Sequence, residues 1–208
     1  MRLILTMLVV FVLLMINELW WRGHRAHGEL SRKFVHITVG SFVAFWPFFL
    51  SWRQIELLSL AFVLVVTVSK TLHIFKAIHS VTRPTWGELC FALAVGSVAL
   101  VTHDKWIYMA ALLQMSLADG LAAIIGLRLG MNNRYLFFGH AKSVAGTLAF
   151  FIASVLILLT YTHYSSTHLT WLFIGGVAMA ASILENVAVK GLDNLLVPLL
   201  IAVLLVNR

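Results

Sequence analysis

The chain has 208 residues, of which 61% are hydrophobic and only 11% charged, and its mean hydropathy is +0.96. A soluble domain carries about a quarter of its residues as charges, so a soluble fold is excluded. The net charge of +7 does not call for nucleic acid, because no basic stretch lies clear of the apolar runs; Lys and Arg also collect in the cytoplasmic loops of membrane proteins.

A bilayer-spanning helix needs roughly 20 mainly apolar residues. In chain order the runs give eight such spans, at residues 3–21, 33–50, 54–70, 87–102, 106–127, 143–161, 169–187 and 194–206. The first follows Arg2, is too long for the apolar core of a secretory signal, and is followed by no small-x-small cleavage pattern, so it reads as a retained span. A membrane β-barrel needs alternation with period two, whereas these runs are continuously apolar. Small residues in the seventh span, among them Gly175, Gly176, Ala178 and Ala181, let helices approach closely. The lone cysteine, Cys90, forms no intrachain disulfide. The expected fold is all-α, a polytopic transmembrane helix bundle forming one integral membrane domain over residues 1–208, with no internal repeat.

Charge orients the bundle. Arg22, Arg25, Arg32, Lys33, Lys70, Lys76, Arg83, Arg128, Arg134, Lys142 and Lys190 follow odd-numbered spans, against Arg2, Arg53, Lys105 and Arg208 on the other side. The positive-inside rule then puts the odd-span exits in the cytoplasm and both termini outside. Glu29, Glu88, Asp119, Glu185 and Asp193 sort to that same side, which the rule does not require. Acids and bases crowded on one face with short loops point to a site for a charged ligand.

Five segments carry the chemistry. In Glu29-Leu-Ser-Arg-Lys-Phe-Val-His36, Arg32, Lys33 and His36 fall on roughly one helix face; the cations suit phosphate and His36 can move a proton or simply bond to a neighbouring helix. In Thr82-Arg-Pro-Thr-Trp-Gly-Glu88, Glu88 opens a span beside Arg83, a placement the helix dipole also favours. Asp119, in Leu117-Ala-Asp-Gly-Leu-Ala-Ala123, lies inside an apolar span, about 12 Å of helix rise from its cytoplasmic end. An ionised group there is expensive and marks function by default, and Gly120 beside it allows close backbone approach. In Gly139-His-Ala-Lys-Ser-Val-Ala-Gly-Thr147, a loop enters the sixth span; the free N–H groups of a helix start favour phosphate, with Lys142, Ser143, Gly146 and Thr147 at hand, or Ser143 is a plain helix cap. It is not a Walker A loop. Between the last two spans, Glu185, Asn186, Asp193 and Asn194 offer oxygen ligands of the kind Mg²⁺ takes alongside substrate phosphates. No HExxH, zinc-spaced Cys/His cluster or GxSxG elbow occurs.

Taken in order, these segments resemble the polyprenol kinase family of membrane lipid kinases, the group of dolichol kinase, phytol kinase and the CTP-dependent diacylglycerol kinase. The matching pieces are Arg32-Lys33-x-x-His36, Arg83-x-Thr85-x-Gly87-Glu88, Ala118-Asp119-Gly120-x-Ala122, Lys142-Ser143-x-x-Gly146-Thr147, and Glu185 followed by Asp193-Asn194-x-x-Val197-Pro198. The resemblance implies transfer of the terminal phosphate of CTP, or another nucleoside triphosphate, to a lipid alcohol, either isoprenoid or diacylglycerol. Asp119, Asp193 and Glu185 would hold Mg²⁺ or another divalent cation. Arg32, Lys33, Lys142, Ser143, Gly120, Gly146, Thr147, Asn194, Arg83 and Glu88 would serve the nucleotide, and a carboxylate or His36 would take the hydroxyl proton. It further implies a bacterial inner membrane enzyme with its site facing the cytoplasm. Asp119→Asn is expected to abolish transfer yet leave insertion intact. Two other readings compete: a cytidylyltransferase like the CDP-diacylglycerol synthases, and a small-solute or ion-coupled transporter, which would place its site near the bilayer midplane and show repeat symmetry.

Overall fold

A computed structural model describes residues 1–24, 29–72, 86–130, 132–137 and 140–208. Helices α1 (Arg2–His24), α2 (Glu29–Ala44), α3 (Trp52–Leu72) and α4 (Gly87–Val101) come first. Next, α5 (Lys105–Leu113), a π-helical turn (Gln114–Ala118) and α6 (Asp119–Leu129) form one apolar rod of 25 residues. A hairpin of β1 (Arg134–Phe137) and β2 (His140–Ser143) leads into α7 (Val144–Tyr164), α8 (Trp171–Val187) and α9 (Asp193–Val206). The fold is all-α apart from that hairpin.

Each expected apolar run contains a helix, and the helices differ in length. Three segments among the described residues are long and apolar enough to cross a membrane, Arg2–Leu19, Lys105–Leu129 and Val144–Tyr164, while α4, α8 and α9 are apolar and shorter. The second run also ends early. Helix α2 stops at Ala44 and a single 3₁₀ turn, Trp46–Phe48, follows, because Pro47 has no N–H to give and its ring would collide with the turn before it.

The α5 rod is the centre. Tyr108, Ala110, Ala111 and Leu112 are fully buried, and α2, α4, α7 and α9 pack around it. Its start is fixed by Asp104, whose side chain accepts from the Trp106 N–H at 2.7 Å and so satisfies one donor the first turn leaves open. Helix α3 attaches to α4 where Gly96 leaves room for Ser59, whose hydroxyl donates to Ala92 O at 2.7 Å. At that end of the bundle aromatic rings gather. Trp106 stacks on Tyr164 with centroids 5.5 Å apart, Phe48 meets Trp106 edge-on, and Lys105 lies over Phe48. Amphipathic rings of this sort sit at the membrane–water boundary. The buried charged groups, Lys33, Asp119 and Glu185, are at the opposite end.

Candidate active site

Three carboxylates from three helices converge there. Asp119 opens α6, Glu185 sits in the last turn of α8, and Asp193 opens α9. One oxygen from each lies within 4.8 Å of the others; Asp119 and Glu185 are buried and Asp193 is half-buried. Such a trio repels itself unless cations intervene, and two lysines do. Lys33 of α2 donates to both oxygens of Asp119, at 2.6 Å to Oδ1. Lys142 of β2 donates to Glu185 Oε1 at 2.9 Å and to the Glu185 backbone carbonyl at 3.0 Å. Burial by itself would pull the Lys142 pKa down, but the Glu185, Asp193 and Asp119 carboxylates more than offset this and hold it above the ordinary lysine value. The second oxygen of Glu185, Oε2, is buried with no hydrogen-bond partner. An orphaned carboxylate oxygen within a trio of acids spaced to share one ion fits a hard divalent cation that prefers oxygen ligands.

Local structure explains why these groups meet. Gly120 lets α2 press against α6, since a Cβ there would overlap the Ile37 side chain. That approach carries Lys33 and His36 to Asp119. His36 Nε2 lies 2.9 Å from the Met115 carbonyl and 3.6 Å from Asp119 Oδ2. Between α8 and α9 the chain reverses through Lys190 (φ 59°) and Gly191 (φ 89°). This turn docks on the start of α4: the Trp86 N–H donates to Lys190 O at 3.0 Å, and Asn194 Nδ2 donates to Gly87 O at 3.1 Å. Arg32 reaches the same place, for a Cβ on Gly87 would come within 3.4 Å of its guanidinium.

The hairpin closes the other side. Tyr135 and Lys142 are directly opposed across its two strands, so their side chains share a face. Lys142 takes Glu185, and Tyr135 takes the next residue, its hydroxyl 2.8 Å from Asn186 Oδ1 and 2.7 Å from Thr147 Oγ1. The hairpin thus grips two consecutive residues of α8.

Of the residues singled out from sequence, Asp119, Glu185, Asp193, Lys33, Lys142 and His36 come together, with Arg32 and Asn194 at the α4 edge. Others turn out to hold the frame. The Ser143 hydroxyl accepts from the Gly146 N–H at 3.1 Å and caps α7. A Cβ on Gly146 would sit 2.9 Å from Ala122 O, so this glycine joins α7 to α6. Thr147 belongs to the Tyr135–Asn186 knot. Glu88 lies in the first turn of α4 and is not one of the three converging acids. Arg83, Thr85 and Gly139 lie outside the described residues. Tyr135 was not singled out, and Asn186 was read only as one amide of a polar segment. Their partnership depends on a strand register that a four-residue run does not announce.

Among curated proteins the chain is 35% identical over 190 residues to the "Phytol kinase" of Synechocystis sp., covering 88% of this chain and 80% of that one. It is 28% identical over 194 residues to a "Probable phytol kinase 2, chloroplastic" of Oryza sativa subsp. japonica, covering 82% of this chain and 63% of that one. No family model matches, and no solved structure matches. With 35% identity extending over four fifths of the first relative, the chain belongs to the polyprenol and phytol kinase family, and it is a phosphotransferase with an alcohol acceptor.

Proposed function

We propose that the protein transfers the terminal phosphate of CTP, or of another nucleoside triphosphate, to an isoprenoid alcohol at the cytoplasmic membrane interface. In this reading residues 1–208 form one integral membrane domain of eight spans. The acceptor class follows from the relatives' names. The observation that carries the reaction type is the convergence of Asp119, Glu185 and Asp193 with Lys33 and Lys142 at one end of the bundle.

Phosphoryl transfer asks mainly for positioning and charge neutralisation. Asp119, Glu185 and Asp193 would hold Mg²⁺, which when bound screens the negative charge of the phosphates. Lys33 and Lys142 exchange a carboxylate for a phosphate oxygen as the nucleotide enters, and Arg32 adds charge beside Asn194. The acceptor hydroxyl, delivered laterally from the bilayer, attacks the terminal phosphorus. The bond from that phosphorus to the bridging oxygen breaks and the nucleoside diphosphate leaves. The hydroxyl proton passes to a carboxylate of the trio or to His36. Apolar helices around the site restrict competing water.

The test uses purified protein in lipid with Mg²⁺ and CTP labelled on either the γ- or the α-phosphate, offered phytol and diacylglycerol separately. Label from the γ-position is expected in an isoprenoid monophosphate. Label from the α-position in lipid, with pyrophosphate released, would replace the kinase reading with a cytidylyltransferase.

A further inference from the structure

The turn just before Asp119 departs from regular helix. In an α-helix the N–H of residue 119 bonds to the carbonyl of residue 115. Here the Asp119 N–H goes instead to Gln114 O and Ser116 O, the wider ring of a π-helical turn, which occurs in helices mostly as a single-turn bulge, often at functional sites. The Met115 carbonyl, bypassed by Asp119, receives His36 Nε2 at 2.9 Å. A carbonyl oxygen only accepts, so Nε2 carries the hydrogen and donates it. Nε2 is also the nitrogen that lies 3.6 Å from Asp119 Oδ2. The ring is held on its other flank by Phe91, edge-on with centroids 5.4 Å apart, and the charged neighbour on the next helix turn, Lys33, is committed to Asp119.

Resting on the reading above, we infer that His36 is a positioning residue rather than the acceptor of the hydroxyl proton: as the Nε2–H tautomer it pins the Met115 carbonyl that the π-turn releases, and so fixes the rotation at which Asp119 faces Glu185 and Asp193. The proton then goes to the carboxylate trio. This geometry separates what the imidazole does from what any base at this position would do. It requires a donor at one point in space, and a primary amide supplies that as well as a ring does.

Two measurements on the full-length protein in lipid decide it. In ¹⁵N-histidine NMR, the resonances that vanish in His36→Gln identify His36, and the wild-type ring is expected to show a protonated Nε2 and a bare Nδ1. The opposite tautomer would overturn the proposal, and this readout does not depend on the assigned reaction. In phosphate-transfer assays across a Mg²⁺ series, His36→Ala is expected to lose about 10–100-fold in activity, the range seen when a group orienting a metal ligand is removed, with half-activation at higher Mg²⁺. His36→Gln, whose amide can reach the same carbonyl, is expected to recover most of that loss. If His36→Gln is as inactive as His36→Ala and both keep the wild-type Mg²⁺ dependence, the ring is the proton acceptor and the positioning role is wrong. If Asp119→Asn keeps full activity, the site assignment itself has failed, whatever the tautomer.

Discussion

Asp119 and Lys33 are each costly alone among apolar helices and tolerable together. An intramembrane charge faces the bundle interior and finds a partner, and Lys33 Nζ reaches both Asp119 oxygens. This pairing adds a cost that the sequence does not show. Asp119→Asn is expected to leave insertion intact, yet it leaves the buried Lys33 ammonium uncompensated. Breaking a buried pair from one side typically costs on the order of 3–5 kcal/mol, whereas replacing both partners is often neutral. Asp119→Asn is therefore expected to lose transfer and also to unfold at lower temperature. The double variant Lys33→Met with Asp119→Asn should regain thermal stability while staying inactive, as followed by transfer assay and thermal unfolding in the same lipid. A stable, inactive single variant would show that the pair contributes nothing to the fold. The acids themselves were legible in the sequence because a carboxylate in an apolar run is expensive enough to demand a reason. Lys33 and Lys142 also stand out in the sequence, as cations suited to phosphate, but their pairing with the acids does not, since Lys33 and Asp119 lie 86 residues apart and nothing in a linear reading brings them together.

The helices follow from hydrophobicity and length, so each run named from sequence holds one; the joints between them do not. The hairpin strands have four residues each, too few to show a period, and the π-turn has no composition that marks it. In the sequence the α8–α9 turn shows only as the short connection between the last two spans. Its geometry is demanding: Gly191 has φ +89°, and a Cβ there would lie 2.5 Å from the Gly87 backbone. Backbone cannot swing aside as a side chain does. Gly191→Ala is expected to cost on the order of 1–3 kcal/mol, push the turn off α4, and displace Asp193 two residues on. Loss of both thermal stability and transfer would fit this; an unchanged melting temperature would mean the turn relaxes freely.

Across the described residues, the charged trio and the aromatic cluster occupy opposite ends of the bundle; the sequence has its excess of Lys and Arg after odd-numbered spans, and of these Arg32, Lys33, Lys142 and Lys190 lie at the charged end. The orientation in the membrane rests on that excess alone. Single cysteines placed at Asn132 or Arg134 in a Cys90→Ser background are expected to resist a membrane-impermeant thiol reagent in sealed cells and to react once the membrane is opened. A cysteine at Ser166 should behave the other way. Reaction of the hairpin positions in sealed cells would invert the orientation and put the proposed site on the wrong side for cytoplasmic nucleotide.

The long separation of Lys33 from Asp119 has a consequence for biogenesis. A chain emerges N-terminus first at about 5–20 residues per second, so Lys33 is made on the order of ten seconds before Asp119. The charges of the site then arrive in the order Arg32, Lys33, Asp119, Lys142, Glu185, Asp193. Counted as they appear, their running sum starts positive and reaches zero only with the last acid. Each new carboxylate is thus delivered to a place where positive charge is already waiting. The three acids, which repel one another when brought together, never need to assemble before their counter-charges, and the trio is complete only when α9 docks.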